Sequence, residues 1–362
     1  MRDALRAHGG LLIAGFATFV AMGIGQSLLG PALPVFSRSF GLTLAQASWA
    51  VTALWVGCAI GVATSFFAPV HVTPRRSLAV MAAGAALIAV APGWGVTQAG
   101  VLVFGAGYGG VTTVFNPRVL HTFGPSMLSL LNAVFSLGAI AAPLIFLALG
   151  SQPGLAYGVV AVIAVAIILF ARDTGGAPVE PGTTGPFRLH PAILCFQVIG
   201  IGCEASLIGI GPAALVRAGE TETHAAELLS LFFVAFLVSR LLLTVAMHRL
   251  PSFACYLLAM GLAAAFATGA CLFPPGPFFA LMGFSAGAFF PSGFVTAVRK
   301  MGRDPRVTPT IVAAGLVGGI LGPLVLSVVA QGMGPRGFFQ IIAGIATLTA
   351  LVAALLLRRM NR

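Results

Sequence analysis

Twelve apolar segments follow one another along the chain, separated for the most part by very short polar connections. An α-helix needs about 20 predominantly apolar residues to cross the hydrocarbon core of a bilayer, and most of the segments have about that length. The pattern predicts an all-α integral membrane protein with twelve transmembrane helices, in which the third and sixth segments are the shortest. The approximate limits of the segments are 11–34, 46–69, 77–94, 98–117, 126–149, 154–171, 191–215, 226–247, 252–273, 277–298, 307–331 and 336–357.

The composition supports a multi-pass membrane protein. Hydrophobic residues make up 59% of the chain and charged residues only 7%, whereas soluble domains carry about 25% charged residues. The net charge of +11 comes from basic residues scattered over short loops, not from a basic stripe. We therefore predict the lipid bilayer, and not a nucleic acid, as the partner of these charges.

The distribution of the basic residues predicts the orientation. With the N-terminus inside, sixteen of the nineteen Lys and Arg residues lie on the inner side or in the inner half of a helix, and only Arg38, Arg217 and Arg336 fall outside. This asymmetry follows the positive-inside rule. It predicts an inner (plasma) membrane protein with both termini cytoplasmic. The apolar N-terminal run continues to about Pro34, too far for a signal peptide, and is interpreted as the first membrane helix.

The chain divides near its middle. The longest connection, residues 172–190, is rich in Gly, Pro and Thr, which is the composition of a linker. We predict an N-terminal six-helix bundle at 1–171, a cytoplasmic linker at 172–190 and a C-terminal six-helix bundle at 191–362.

The two halves repeat each other. The stretch "LGAIAAPL" (137–144) recurs as "VGGILGPL" (317–324), and "FGAG" (104–107) recurs as "FSAG" (284–287), both at an offset of 180 residues. The stretch "GIGQSLLGPA" in the first segment has a looser echo in "GIGCEASLIGIGPA" of the seventh. The matches predict a parallel repeat, in which the two bundles are related by a pseudo-two-fold axis.

Glycine and proline recur at equivalent places in the fifth and eleventh segments. Gly138 and Pro143 correspond to Gly318 and Pro323. Small residues at these places should let both helices pack closely and bend, so we predict a hinge or gating role for all four residues.

The whole chain resembles the transporters of the major facilitator superfamily. The resemblance implies twelve helices in two six-helix bundles and transport by alternating access. The family motif between helices two and three contains an Asp, a Gly and paired basic residues. The matching stretch here, "APVHVTPRRS", keeps Arg75 and Arg76 but has neither the Asp nor the Gly.

Several stretches resemble the fucose and hexose:proton symporter branch of that superfamily. They are "NPRV" beginning at Asn116, "LNAVFSLGAIAAPL" with Asn132, "GCE" ending at Glu204, and "VSRLL" with Arg240. Sugar symporters of the branch carry functional acids in helices one and four. Here the corresponding segments read "GIGQSLLGPALP" and "FGAGYGGVTTVFNP", without an acid, so the sugar substrate is not carried over.

Glu204 is the only acidic residue in the interior of a membrane segment, since Glu227 lies at the end of one. An ionised side chain at mid-bilayer costs about 3 kcal/mol on insertion scales. Glu204 lies on the same helix face as Gln197, which is seven residues earlier. Glu204 is therefore either a substrate or proton site or a carboxylate that fixes two helices together. Arg240 in the eighth segment lies at a comparable depth, and either pairs with Glu204 or extends toward the inner surface.

Uncharged polar side chains are the other candidates for substrate binding. They are Gln26 in the first segment, Tyr108 and Asn116 in the fourth, and Asn132 in the fifth. Such groups suit a polyol or another neutral polar solute. They also serve as interhelical hydrogen-bonding contacts, worth about 0.6 kcal/mol each.

Together these features predict a secondary active transporter of a small polar solute, coupled by symport or antiport to protons or another ion, most simply protons through Glu204. The alternative is an efflux antiporter for drugs or amphipathic compounds, which the Gly-rich fifth segment with Pro143 also suits. A membrane-embedded enzyme or receptor is disfavoured, because an enzyme would need clustered acid, base or nucleophile residues. We predict a monomer without cofactor or bound metal.

Overall fold

The computed structural model describes residues 2–68, 71–123, 125–170, 187–302 and 307–361. Over these ranges the chain forms thirteen α-helices. They are α1 (Arg2–Ser27), α2 (Leu29–Phe40), α3 (Leu44–Phe67), α4 (Pro74–Ala89), α5 (Trp94–Phe123), α6 (Pro125–Ala148), α7 (Pro153–Phe170), α8 (Pro191–Arg217), α9 (Glu222–Arg249), α10 (Ser252–Leu272), α11 (Pro275–Met301), α12 (Val307–Gln331) and α13 (Gly337–Asn361).

The helices α1 and α2 together are the first predicted segment. They meet at Leu28, where the backbone bonds continue from Leu28 N to Ile24 O (3.0 Å) and from Ala32 N to Leu28 O (3.1 Å). Pro31 lies one turn further on, and proline has no N–H to donate to the carbonyl four residues earlier. The break is thus local, and α3 to α13 correspond in order to segments two to twelve. The prediction of twelve transmembrane helices is confirmed.

Most of the helices can span a membrane by themselves. Counted over the described ranges, ten are long and apolar enough to do so. The helices α4, with 16 residues, and α7, with 18, are shorter, and they are the third and sixth segments, which the sequence predicts to be the shortest. An α-helix pairs most of its backbone N–H and C=O groups within itself, which is why it tolerates a hydrocarbon environment.

The helices group into two compact units. The first contains residues 1–43 and 49–180, and the second contains residues 44–48 and 181–362. The predicted linker at 172–190 falls mostly at residues 171–186, which lie outside the described part of the chain. The predicted domain boundaries therefore stay predictions.

Equivalent helices pack together in the two units. In the first unit, α1 packs against α6, and α4 packs against α5 and α7. In the second unit, α8 packs against α12, and α10 packs against α11 and α13. This helix-by-helix correspondence is what the predicted parallel repeat of two six-helix bundles requires.

Gly138 and Gly318 lie where two helices touch. A methyl group on Gly138 of α6 would overlap the carbonyl oxygen of Val20 in α1. A methyl group on Gly318 of α12 would overlap the carbonyl oxygen of Val198 in α8. Both glycines therefore allow backbones to approach more closely than any side chain would permit.

Pro143 lies inside α6 and Pro323 inside α12. Each proline removes one backbone hydrogen bond from its helix and so weakens the helix locally. Whether the helices bend there during transport stays a prediction.

Candidate functional site

Glu204 lies at the midpoint of α8, which runs from Pro191 to Arg217. The side chain is half-buried. Its Oε2 atom is buried and has no hydrogen-bond partner among the described residues. A buried carboxylate oxygen without a donor is costly, so this oxygen is suited to receive a proton or a hydrogen bond from a bound molecule.

Arg240 of α9 is the cationic candidate residue of the second unit. Its positive charge acts electrostatically on the Glu204 carboxyl. The guanidinium carbon lies 4.3 Å from the centroid of the Phe236 ring, a cation–π geometry. Whether Arg240 forms an ion pair with Glu204 stays a prediction.

Sequence reasoning missed the role of Phe236. This ring is buried in the second unit and lies one helical turn before Arg240. The face of this ring contacts the guanidinium group and so occupies space into which the Arg240 side chain could otherwise extend. The signal available in the sequence was the i, i+4 spacing of an aromatic residue and a cation on one helix.

Gln197 lies two turns before Glu204 on α8 and is completely buried. Neither its Oε1 nor its Nε2 has a hydrogen-bond partner in the described part of the chain. The carboxamide packs against Gly293 of α11, where a methyl group would overlap it. Gly293 was not singled out from the sequence, although only the absence of a side chain there leaves room for Gln197.

Gln26 and Tyr108 meet in the first unit. The Tyr108 hydroxyl of α5 donates a hydrogen bond of 2.8 Å to Oε1 of Gln26 in α1. Gln26 is buried, with 7% of its surface exposed. Since its oxygen accepts from Tyr108, its two N–H groups are left to donate to another acceptor.

The backbone around Gln26 is held on both sides. The Tyr157 hydroxyl of α7 donates a hydrogen bond of 2.9 Å to the carbonyl of Gly25. A methyl group on Gly25 would overlap the Phe104 ring of α5. These contacts hold the last turn of α1 just before Leu28, and the Tyr157 contact could not be predicted from the sequence.

Asn116 and Asn132 occupy other positions in the first unit. Asn116 is half-buried on α5, two turns after Tyr108, and its Oδ1 has no hydrogen-bond partner within the described ranges. Asn132 is half-buried on α6, one turn before the fully buried Ser136. Of the predicted residues, the structure joins Gln26 and Tyr108 by a hydrogen bond, and the charge of Arg240 acts on Glu204.

The sequence matches a known protein family. The model of the Major Facilitator Superfamily matches residues 14–313. A search of curated protein sequences returns no significant match.

Solved structures share the fold over almost the whole chain. A variant of the nucleoside transporter NupG has a TM-score of 0.74 at 14% identity and covers 98% of this chain and 99% of its own. A D-xylose-proton symporter has a TM-score of 0.75 at 12% identity, covering 95% and 96%. The fucose:proton symporter FucP of E. coli has a TM-score of 0.66 at 17% identity, covering 97% and 98%. At these identities the likeness shows the fold and leaves the solute open.

Proposed function

This chain belongs to the major facilitator superfamily, and on that premise we propose that it moves a small, uncharged polar solute by alternating access, coupled to protons at Glu204. Membership makes the chain a multi-pass membrane transporter and not an enzyme. The solute, the coupling ion and the residues that serve them are the content of the proposal.

The observation that carries the proposal is the carboxylate of Glu204 with its Arg240 neighbour. The carboxylate lies at the middle of a spanning helix, with one oxygen that has no hydrogen-bond partner among the described residues. A proton and the Arg240 charge both stabilise this carboxylate, so they compete for it. A conformational change that alters the distance between the two residues would change how tightly Glu204 holds a proton. Such a difference between two states is what coupling requires.

The polar side chains of the first unit support an uncharged solute. Gln26, Tyr108 and Asn116 offer amide and hydroxyl groups and no charge, and groups of this kind pair with hydroxyl and carbonyl oxygens. Two of the proteins with the same fold are, by name, proton symporters for D-xylose and fucose. Both facts favour a polar solute carried together with protons.

The test is transport by the purified protein in liposomes with an imposed proton gradient. A panel of sugars, nucleosides, amino acids and drugs, screened first by thermal stabilisation of the protein, supplies the solute. The variant Glu204→Gln should lose gradient-driven accumulation and keep exchange of solute between the two sides. The matched control is Glu227→Gln, at an exposed carboxylate near the start of α9, which should accumulate solute like the wild type.

Two results would contradict the proposal. Normal accumulation by Glu204→Gln would make Glu204 a structural group. Failure of both Glu204→Gln and Arg240→Gln to fold would make the pair a structural bridge, with the coupling site elsewhere. The direction of transport is a separate question, and growth and efflux assays on a deletion strain distinguish a symporter from a drug-exporting antiporter.

A further inference from the structure

The helices α1 and α8 hold equivalent places in the two units, as the packing partners of α6 and α12. Their register is fixed by two matching contacts. The carbonyl oxygen of Val20 faces Gly138, and the carbonyl oxygen of Val198 faces Gly318. Gly138 and Gly318 are equivalent in the sequence repeat, so Val20 and Val198 are equivalent as well.

This register aligns Gln26 with Glu204. Gln26 follows Val20 by six residues, and Glu204 follows Val198 by the same number. Both stretches are helical, so six residues give the same rise of about 9 Å and the same rotation about the helix axis. The two side chains therefore leave their helices at the same height and in the same direction relative to α6 and α12.

The two positions have similar shapes and different chemistry. Glutamine and glutamate have the same number of side-chain heavy atoms, but only the glutamate has a carboxyl group that can bind and release a proton. Their surroundings also differ in charge. Gln26 accepts a hydrogen bond from the neutral Tyr108, whereas the positive charge of Arg240 acts on Glu204. Each unit thus pairs its residue with a neighbour suited to the charge of that residue.

We infer that Gln26 is a specificity-determining residue, the neutral counterpart of Glu204, and that its amide N–H groups bind an oxygen acceptor of the solute, a hydroxyl or a carbonyl. Proton exchange is then confined to the second unit, at Glu204. This inference rests on the proposed function. It adds the residue that recognises the solute and the reason why a single carboxyl group suffices for proton coupling.

The first experiment tests recognition. Gln26→Leu should raise KM for the solute about tenfold, the effect of losing one or two hydrogen bonds. Tyr108→Phe should raise KM less, because it removes only the bond that orients the amide. Gln26→Asn, with the same groups on a shorter side chain, should recover part of the loss. In all three variants the remaining transport should keep the wild-type dependence on the proton gradient.

The second experiment exchanges the carboxyl group of position 204 and the amide group of position 26. Glu204→Gln should lose accumulation, and the double variant Gln26→Glu with Glu204→Gln should recover part of it, because the carboxyl now lies at the equivalent position with Tyr108 as its donor. The matched control combines Glu204→Gln with Asn116→Asp, which adds a carboxyl to the first unit at a position that the repeat does not align with Glu204. This control should not recover.

The outcomes separate the inference from the proposed function. Unchanged KM in Gln26→Leu overturns the recognition role of Gln26. A folded double variant without recovery, or equal recovery with Asn116→Asp, overturns the equivalence of Gln26 and Glu204. If the double variant does not fold, the KM values of Gln26→Asn and Tyr108→Phe still decide the recognition role. Normal accumulation by Glu204→Gln alone would instead contradict the proposed coupling, and the KM of Gln26→Leu would stand as an independent result.

Discussion

Gln197 is the residue whose buried polar atoms are least compensated by hydrogen bonds within the described chain. Its carboxamide is fully buried against Gly293, and neither of its polar atoms has a hydrogen-bond partner there. Leaving a buried polar group without a partner costs about 1–3 kcal/mol. Gln197 lies on the same face of α8 as Glu204, and we propose that its carboxamide finds a hydrogen-bond partner in another conformation of the transport cycle.

We predict that Gln197→Leu stabilises the protein. Leucine has a similar volume and no polar atoms, so the free energy of unfolding should rise by about 1 kcal/mol. Thermal unfolding of the purified protein in detergent measures this change. The control is Gln340→Leu, at an exposed position of α13, which should change the stability by less than about 0.5 kcal/mol. A lower melting temperature for Gln197→Leu would mean that the carboxamide is satisfied in the resting protein.

At the scale of helices, glycine contacts hold the pairs α1–α6 and α8–α12 together. In addition to Gly138 and Gly318, Gly202 of α8 and Gly322 of α12 meet, since a methyl group on Gly322 would contact the backbone of Gly202. The atoms that a side chain would meet belong to the backbone, which cannot move aside as a flexible side chain can. These pairs therefore depend on glycine at the contact.

We predict that Gly138→Leu and Gly318→Leu block transport while solute binding stays measurable, because the paired helices can no longer pack closely. Gly318→Ala should already lower the free energy of unfolding by about 1–3 kcal/mol. The control is Gly261→Ala on α10, where an added methyl group meets nothing within 4 Å, and where alanine should stabilise the helix by up to about 1 kcal/mol. Normal transport by both leucine variants would show that these glycines take no part in the motion.

Two of the three basic residues predicted to lie outside are held at helix ends. The Arg217 guanidinium donates to the carbonyls of Ala330 (2.8 Å), Gln331 (3.2 Å) and Met333 (2.7 Å) at the end of α12. Arg336 donates to the carbonyl of Cys271 (2.7 Å) near the end of α10. The last carbonyls of a helix lack intrahelical donors and carry partial negative charge, so they are natural partners for arginine.

We predict that Arg217→Gln lowers the free energy of unfolding by about 1–2 kcal/mol, since it removes charge-assisted hydrogen bonds that are partly exposed to water. Thermal unfolding measures the loss. Arg249→Gln, at the exposed end of α9, is the control and should have little effect. Equal melting temperatures for the two variants would show that the Arg217 contacts contribute nothing to stability.

At the scale of the whole molecule, the orientation in the membrane is the main prediction. The Lys and Arg bias predicts that both termini lie in the cytoplasm. In a variant whose five native cysteines are replaced, a single cysteine introduced in the 216–225 loop should react with a membrane-impermeant reagent added outside. A single cysteine introduced at 172–190 should not react. The reverse pattern would invert the orientation.

The spanning helices could be predicted from the sequence because each is a local property of the chain. A run of about 20 apolar residues satisfies its own backbone hydrogen bonds wherever its neighbours lie. For the same reason the two short segments, α4 and α7, were recognisable in advance. The parallel repeat could also be predicted from the sequence, because the glycine and proline pattern of α6 recurs in α12 at a fixed offset.

The contacts between helices were decided only by the tertiary structure. The sequence echo aligns Gly23 with Gly200, whereas the glycine contacts align Val20 with Val198. The two alignments differ by one residue. Only the second makes Gln26 equivalent to Glu204 in the repeat. The hydrogen bond from Tyr108 to Gln26, the ring of Phe236 beside Arg240 and the burial of Gln197 against Gly293 likewise depend on how each helix is rotated. In an almost uniformly apolar chain the hydrophobic pattern does not specify that rotation. Close packing at the glycines specifies it, and that is a property of two helices together.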